Sequence, residues 1–124
     1  MFRTPRFRAT VAVAALSLFS LNAVQAQAHA KLVSANPSAN SSVSSPQTIL
    51  LKFSEAIAKK LSSMKLADAG GNPIAMMQMP APDAKSLSIM PNATLPPGQY
   101  TVSWTAVSTD DGHKMTGAYH FTVK

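Results

Sequence analysis

A short polar stretch near the C-terminus, STDDGHKMTG, contains two residues suited to bind a metal ion. Asp111 and His113 flank Gly112 within it. If the segment is extended, residues i and i+2 point to the same side, and a carboxylate oxygen and an imidazole nitrogen converge on one point. Gly112 would allow backbone conformations that are closed to other residues. On these residues alone, an ordinary polar loop with an exposed histidine stays open as the alternative.

The second candidate ligand is His29, within the stretch AVQAQAHAKL. If the chain were cut just before it, its α-amine and its Nδ1 atom could bind the same metal ion, which no internal histidine allows. Together with Asp111 and His113, this makes three nitrogens and one carboxylate oxygen. That set suits Cu(II) better than calcium or magnesium. Zn(II) accepts similar ligands, but Cu(II) generally binds nitrogen and oxygen sites more tightly.

Residues 1–28 have the layout of a secretory signal peptide. The first ten residues carry three arginines and no acidic residue, and the apolar run VAVAALSLFSLNAV and small residues follow. Export signals share this order, and the run is shorter than the about 20 apolar residues that span a bilayer. Cleavage after Ala28 or after Ala30 fits the A-x-A rule equally well, and the second cut would remove His29. We expect the first, which leaves one domain, residues 29–124.

Charge and cysteine content narrow the function of that domain. It has eight lysines, five acidic residues and no arginine, a net charge of +3. Nucleic-acid binding usually requires a clustered basic patch with arginine, so we do not expect this domain to bind nucleic acid. We also do not expect the mature chain to insert into a membrane. The chain has no cysteine, which excludes disulfides and thiolate metal sites.

Short alternating runs, separated by turns rich in Pro, Gly, Asn and Ser, predict an all-β sandwich of about seven strands. LPPGQY resembles a tyrosine corner, with Tyr100 entering a strand after a Pro-Gly turn. Trp104 is expected at the centre of the core and His120 on the outer face of its strand. No more than one helical turn is expected, around EAIAKKL. The residues predicted to face the core are Ile49, Leu51, Phe53, Met64, Leu66, Leu87, Ile89, Tyr100, Val102, Trp104, Ala106, Tyr119, Phe121 and Val123.

Three segments together resemble the CopC family of periplasmic copper-binding, copper-resistance proteins. They are HAKLVSANPSANSSV, LKFSEAI and LPPGQYTVSWTAVSTDDGHKMTGAYHFTVK, and the resemblance covers residues 29–124. The distinctive elements are the histidine after the signal, F-S-E, P-G-x-Y-x-V-x-W, and D-x-H followed by T-G. The resemblance implies a Greek-key β-sandwich of the immunoglobulin-like or cupredoxin-like kind in the periplasm, without enzymatic activity.

The resemblance also implies the ligands and a partner. His29, Asp111 and His113 would bind one Cu(II), which is why we expect cleavage after Ala28. Glu55, the glutamate of F-S-E, would orient a ligand or add negative charge near the metal. Asp110 is an extra carboxylate, but the i, i+2 relation to His113 belongs to Asp111. A CopD-like inner-membrane copper protein is the partner implied.

Some members of that family also bind Cu(I) through an M-x-x-M loop with a histidine, and this chain departs from that pattern. Met76, Met77 and Met79 are close together, but no histidine accompanies them. Thioethers select Cu(I), so a weak Cu(I) site is one interpretation and packing of flexible side chains is the other.

Two other functions remain open. An oxidative enzyme with a copper histidine brace would also use an N-terminal histidine, although the Asp111 carboxylate favours Cu(II) and opposes redox cycling. A metal-free immunoglobulin-like interaction module would require the β pattern alone.

Overall fold

The computed structural model describes residues 31–124, which form two four-stranded sheets packed face to face. The sandwich predicted from the sequence is confirmed, and within these described residues it has eight strands and one 3-10 turn, Lys59–Leu61. The strands are β1 (Leu32–Asn36), β2 (Ser42–Val43), β3 (Ile49–Phe53), β4 (Ser63–Ala67), β5 (Met76–Met79), β6 (Ser86–Pro91), β7 (Gly98–Val107) and β8 (Lys114–Val123).

The first sheet has the order β1-β3-β6-β5 and the second the order β2-β8-β7-β4. All neighbouring strands are antiparallel except β2 and β8, which are parallel. Strands β7 and β8 form a long hairpin paired from Gly98–Val123 to Val107–Lys114. This hairpin is the rigid support of the loop that holds Asp111 and His113.

The core lies between the sheets and consists of the inward residues of the alternating runs. Thirteen of the fourteen residues predicted to face the core are buried there, and Trp104 is the exception. Ile57 and Leu95 from the loops complete the core. Because side chains alternate along a strand, these runs fix which face of each strand is covered.

The tyrosine corner is present. The Tyr100 hydroxyl donates a hydrogen bond of 2.6 Å to the Pro96 carbonyl oxygen, and the Tyr100 ring stacks on Phe121 with 5.7 Å between ring centroids. Tyr119 makes a similar bond on the next strand, donating to the Pro37 carbonyl oxygen over 2.7 Å. Each phenol therefore ties a loop to the core.

Trp104 lies at the margin of the core, which corrects the expectation that it forms the centre. It is only partly buried, and its ring lies 6.2 Å from that of Phe53 and 6.3 Å from that of Tyr119. Gly117 is paired with Trp104 across the hairpin, and a Cβ at Gly117 would overlap the indole ring. The ring thus covers the space that this glycine leaves open, and the centre is filled by Phe53, Phe121 and aliphatic residues.

Candidate metal centre

Loop 108–113 joins β7 to β8 at one end of the sandwich and is held by backbone hydrogen bonds. The Ser108 N–H donates to the His113 carbonyl oxygen over 3.0 Å, and the Gly112 N–H donates to the Ser108 carbonyl oxygen over 2.9 Å. The Thr109 N–H donates to the Ala56 carbonyl oxygen over 3.1 Å, which attaches the loop to the segment after β3. We call this end, formed by Lys31, residues 54–62, residues 83–85 and loop 108–113, the hairpin end.

Asp111 ends a turn and His113 follows it by two residues, so the pair does not lie in an extended segment, which corrects the geometry expected from the i, i+2 spacing. Residues 109–111 form the turn, and Gly112 has a φ angle of +68°, a left-handed conformation that favours glycine. The Asp111 Oδ1 atom accepts a hydrogen bond of 3.0 Å from the His113 N–H. Both residues are exposed. The relative position of the two side chains is therefore set by the turn and by Gly112, and not by the alternation of a strand.

Glu55 is connected to this loop through a buried serine. The Ser108 hydroxyl donates to the Glu55 Oε1 atom over 2.9 Å and accepts from the Asp110 N–H over 3.2 Å. Ser108 is 1 % exposed, and Glu55 is partly buried. The sequence reasoning missed Ser108, although a serine at the start of a predicted loop, beside the D-x-H pair, was the available signal.

The N-terminal side of the described chain reaches the same end. The Lys31 N–H donates to the Ser54 hydroxyl over 3.0 Å, and the Ser54 N–H donates to the Lys31 carbonyl oxygen over 2.9 Å. Lys31 is therefore bonded to the residue that directly precedes Glu55 in the chain. The predicted signal peptide and the predicted ligand His29 lie outside the described residues.

Within residues 31–124, no group of three or more His, Cys, Asp or Glu side chains is placed to hold a metal ion. The structure thus brings together Asp111 and His113 on one loop and Glu55 beside its base. A carboxylate and an imidazole are ligands that Cu(II) and Zn(II) accept, and they leave further coordination positions to be filled.

The three predicted methionines lie on β5, at the edge of the first sheet. Met77 is 52 % exposed, whereas Met76 is partly buried and packs against the core. Met77 is paired with Met90 of β6, and Met79 occupies the same face as Met77 because it is two residues further along. The strand register therefore places Met90 on the same face as Met77 and Met79, whereas Met76 lies on the opposite face. Strand pairing brings Met90 there, and spacing along the chain gave no sign of it.

His120 lies away from the candidate centre, as predicted. It is exposed on β8, paired with Thr101, and its Nδ1 atom is 3.0 Å from the Thr101 hydroxyl oxygen. In the part of the chain described here, no helix is long and apolar enough to cross a membrane.

Comparison with known proteins identifies relatives along almost the whole domain. The protein-family model described as the CopC domain matches residues 32–124. Copper resistance protein C of Escherichia coli is 43 % identical over 110 residues, which cover 82 % of this chain and 86 % of the relative. Copper resistance protein C of Xanthomonas campestris pv. juglandis is 35 % identical over the full length of both chains.

Solved structures show the same fold. The crystal structure of PcoC, a methionine-rich copper resistance protein from Escherichia coli, has a TM-score of 0.73 and 43 % identity, covering 78 % of this chain and all of that one. The crystal structure of CopC from Methylosinus trichosporium OB3b has a TM-score of 0.71 and 32 % identity, covering 77 % of this chain and 94 % of that one. With a matching family model and relatives of this identity and coverage, the chain belongs to the CopC family.

Proposed function

We propose that this protein is a copper-binding protein of copper resistance, which binds one Cu(II) at the hairpin end through His29, Asp111 and His113. Relatives named copper resistance protein C support the metal and the physiological role. The bound copper is cargo, held for sequestration or for delivery to another protein.

One observation carries the proposed ligand set: the reciprocal pair of hydrogen bonds between Lys31 and Ser54. Two residues of extended chain span about 7 Å, so a chain that begins at His29 would have its amino group near Glu55. Glu55 is bonded to Ser108 at the base of the loop that carries Asp111 and His113. The α-amine and both imidazoles would then converge with the Asp111 carboxylate.

Each proposed donor has a reason in the chemistry of Cu(II). Imidazole and amine nitrogens are preferred by this ion, and a carboxylate adds an anionic ligand that favours Cu(II) over Cu(I). Glu55 would act on the site indirectly, through the hydrogen bond from Ser108 and through its negative charge. Stabilisation of one oxidation state suits storage and transport, and it opposes the redox cycling that the histidine-brace enzyme requires.

The test is a Cu(II) titration of two chains whose N-termini are verified by mass spectrometry. One begins at His29 and the other has a single Gly before His29. We expect tight one-to-one binding by the first and a large loss of affinity in the second, because its amino group no longer belongs to the histidine. Equal affinity of both chains would contradict the N-terminal chelate. Turnover with ascorbate and peroxide by the copper-loaded protein would favour the enzyme instead.

We also propose that the protein acts in the periplasm after removal of residues 1–28, and that it exchanges copper with a CopD-like inner-membrane protein. The basic, apolar and small residues of the first 28 positions support export. Recovery of a chain that begins at His29 from the periplasmic fraction would test the export and the cut together.

A weaker Cu(I) site on the outer face of the first sheet is a second proposal, favoured by the register of β5 and β6. Met77, Met79 and Met90 share this face, and thioethers are soft ligands that select Cu(I). Replacing Met77 or Met90 by Leu should weaken Cu(I) binding measured with a competing chelator. The matched control is Met76→Leu, because Met76 packs against the core. An equal effect of all three substitutions would contradict the proposed face.

A further inference from the structure

Lysines are concentrated at the hairpin end. Six of the eight lysines lie there or within two residues of it, and the remaining two, Lys65 and Lys124, lie elsewhere. Hydrogen bonds and strand pairings of the described residues fix this placement, and all six are exposed. The six are Lys31, Lys52, Lys59, Lys60, Lys85 and Lys114.

An exposed leucine accompanies these charges. Leu61 ends the 3-10 turn that begins at Lys59 and is 66 % exposed, more than Val33 or Met77, the other large apolar residues on the described surface. The turn is attached to the hairpin, because the Ala58 N–H donates to the Val107 carbonyl oxygen over 2.7 Å. Leu61 and its two neighbouring lysines are therefore presented beside the candidate metal centre.

We propose that the hairpin end docks against an anionic lipid surface, with Leu61 inserted at the interface and the lysines facing the headgroups. The observation that carries the proposal is the coincidence of six lysines and, among the large apolar side chains of residues 31–124, the most exposed one at one end. Lysine acts as a compact point charge, without the planar fork by which arginine binds one carboxylate. Charges of this kind, spread over one end, fit a continuous anionic surface better than a single acidic side chain of a protein.

Acidic residues at the same end limit the strength of docking in the metal-free state. Glu55, Asp83, Asp110 and Asp111 lie there, so six lysines face four carboxylates and the net charge of these side chains is +2. Asp83 lies 4.0 Å from Lys52 and accepts a hydrogen bond from the Lys59 ammonium through its carbonyl oxygen. Lys31, Lys60, Lys85 and Lys114 have no ion pair to an acidic side chain among the described residues.

Copper should strengthen the docking, an inference that rests on the proposed function. One Cu(II) bound at this end by neutral imidazoles, the Asp111 carboxylate and the α-amine adds two positive charges and displaces the proton of that amine. With the ammonium counted, the net charge of the end therefore rises from +3 to +4. The loaded protein would then bind an anionic surface more tightly than the empty protein. Metal loading and docking at a membrane would be coupled through charge alone.

The experiment is sedimentation of the chain that begins at His29 with two kinds of vesicle. One is pure phosphatidylcholine, and the other is phosphatidylcholine with about 30 % phosphatidylglycerol, at low ionic strength where charges are little screened. We expect binding to the anionic vesicles only, weakened by added salt, and increased several-fold by one equivalent of Cu(II). Absence of binding by the wild-type chain to anionic vesicles would overturn the proposal and leave a protein partner for this end.

Two double variants with the same net charge test the orientation. Lys60→Gln/Lys85→Gln removes two charges from the hairpin end, and Lys65→Gln/Lys124→Gln removes two from elsewhere. Each lysine near an anionic surface contributes about fivefold to binding, so the first should lose more than tenfold and the second far less. Equal losses would overturn the docking face. Leu61→Ser should weaken binding further in a way that salt does not change.

The experiment distinguishes a failure of copper binding from a failure of docking. If the wild-type chain does not bind Cu(II), the proposed function is wrong, and vesicle binding of the metal-free protein still decides the docking face. If Cu(II) binds but does not increase vesicle binding, the coupling is overturned and the proposed function stands.

Discussion

The Ser108 hydroxyl donates a 2.9 Å hydrogen bond to Glu55, across 53 residues of sequence, and thereby joins the segment after β3 to the loop between β7 and β8. Ser108 also anchors the loop through its backbone, donating to the His113 carbonyl oxygen and accepting from Gly112. A single buried residue thus determines the position of Glu55 relative to Asp111 and His113.

Replacing Ser108 by Ala should weaken Cu(II) binding, because Glu55 and the loop lose the hydroxyl that joins them. Groups that orient metal ligands typically contribute 10- to 100-fold in affinity. We expect a loss of at least about tenfold, measured by competition with a chelator. The electron paramagnetic resonance spectrum of the bound Cu(II) should change as well, which loss of stability alone would not cause.

A matched control exists in a separate turn, outside the loop that carries Asp111 and His113. Ser86 is also 1 % exposed, and at the start of β6 its hydroxyl donates to the Asp83 Oδ1 atom over 2.9 Å. Ser86→Ala should destabilise the fold to a similar extent, about 1–3 kcal/mol, and leave the copper spectrum unchanged. If the two variants bind copper equally well, Ser108 has no positioning role.

Copper should stabilise the folded protein by mass action. A metal that binds only the folded state, at 100 times its dissociation constant, adds about 2.7 kcal/mol to the free energy of unfolding. For a domain of this size, this raises the melting temperature by roughly 10–20 °C. Thermal unfolding with and without Cu(II) measures this rise in melting temperature, and removal of the metal with EDTA should reverse it. A melting temperature that does not respond to Cu(II) would favour the metal-free interaction module.

Stability should fall at alkaline pH because of Tyr119. Burial raises the pKa of its phenol to about 12, from an ordinary value of 10.0. A group whose pKa is higher in the folded state stabilises the fold below its unfolded pKa, and this contribution is lost as the pH rises through the folded pKa. We expect the free energy of unfolding to decrease between pH 10 and 12, by about 2–3 kcal/mol from this group.

Tyr119→Phe isolates that contribution from that of Tyr100, whose pKa is also raised by burial. The variant also loses the hydrogen bond to the Pro37 carbonyl oxygen, so it should be less stable at neutral pH. The difference in unfolding free energy between wild type and variant should narrow from pH 10 to 12. A difference that stays constant would show that the phenol has the same pKa in the folded and the unfolded protein.

The sequence predicted the sheets well because each strand has one covered face, and alternation records which residues it covers. Thirteen predicted residues, Ile49 and Phe121 among them, lie in the core for this reason. The tyrosine corner was predictable because Tyr100 reaches Pro96 only four residues away. Trp104 was misplaced because its position depends on Gly117 in the partner strand, a relationship that hydrophobicity does not record.

The candidate site was predictable only where its residues are neighbours in sequence. Asp111 and His113 were found together, but their turn geometry depends on the φ angle of Gly112 and on the hydrogen bonds of Ser108. The Ser108–Glu55 bond and the Met77–Met90 pair join segments far apart in the chain. Such contacts depend on which distant segments pack together in the folded chain, and spacing along the sequence does not record that.

Adding a methyl group at Gly117 should destabilise the fold, because its Cβ would overlap the Trp104 indole ring. Overpacking of this kind typically costs about 1–3 kcal/mol, so Gly117→Ala should unfold at a lower urea concentration and show altered tryptophan fluorescence in the folded state. Trp104→Phe in the same background makes room for the methyl group, and the double variant should lose less stability than the two single losses added together. Additive losses would mean that Gly117 is needed for its backbone and not for the space occupied by Trp104.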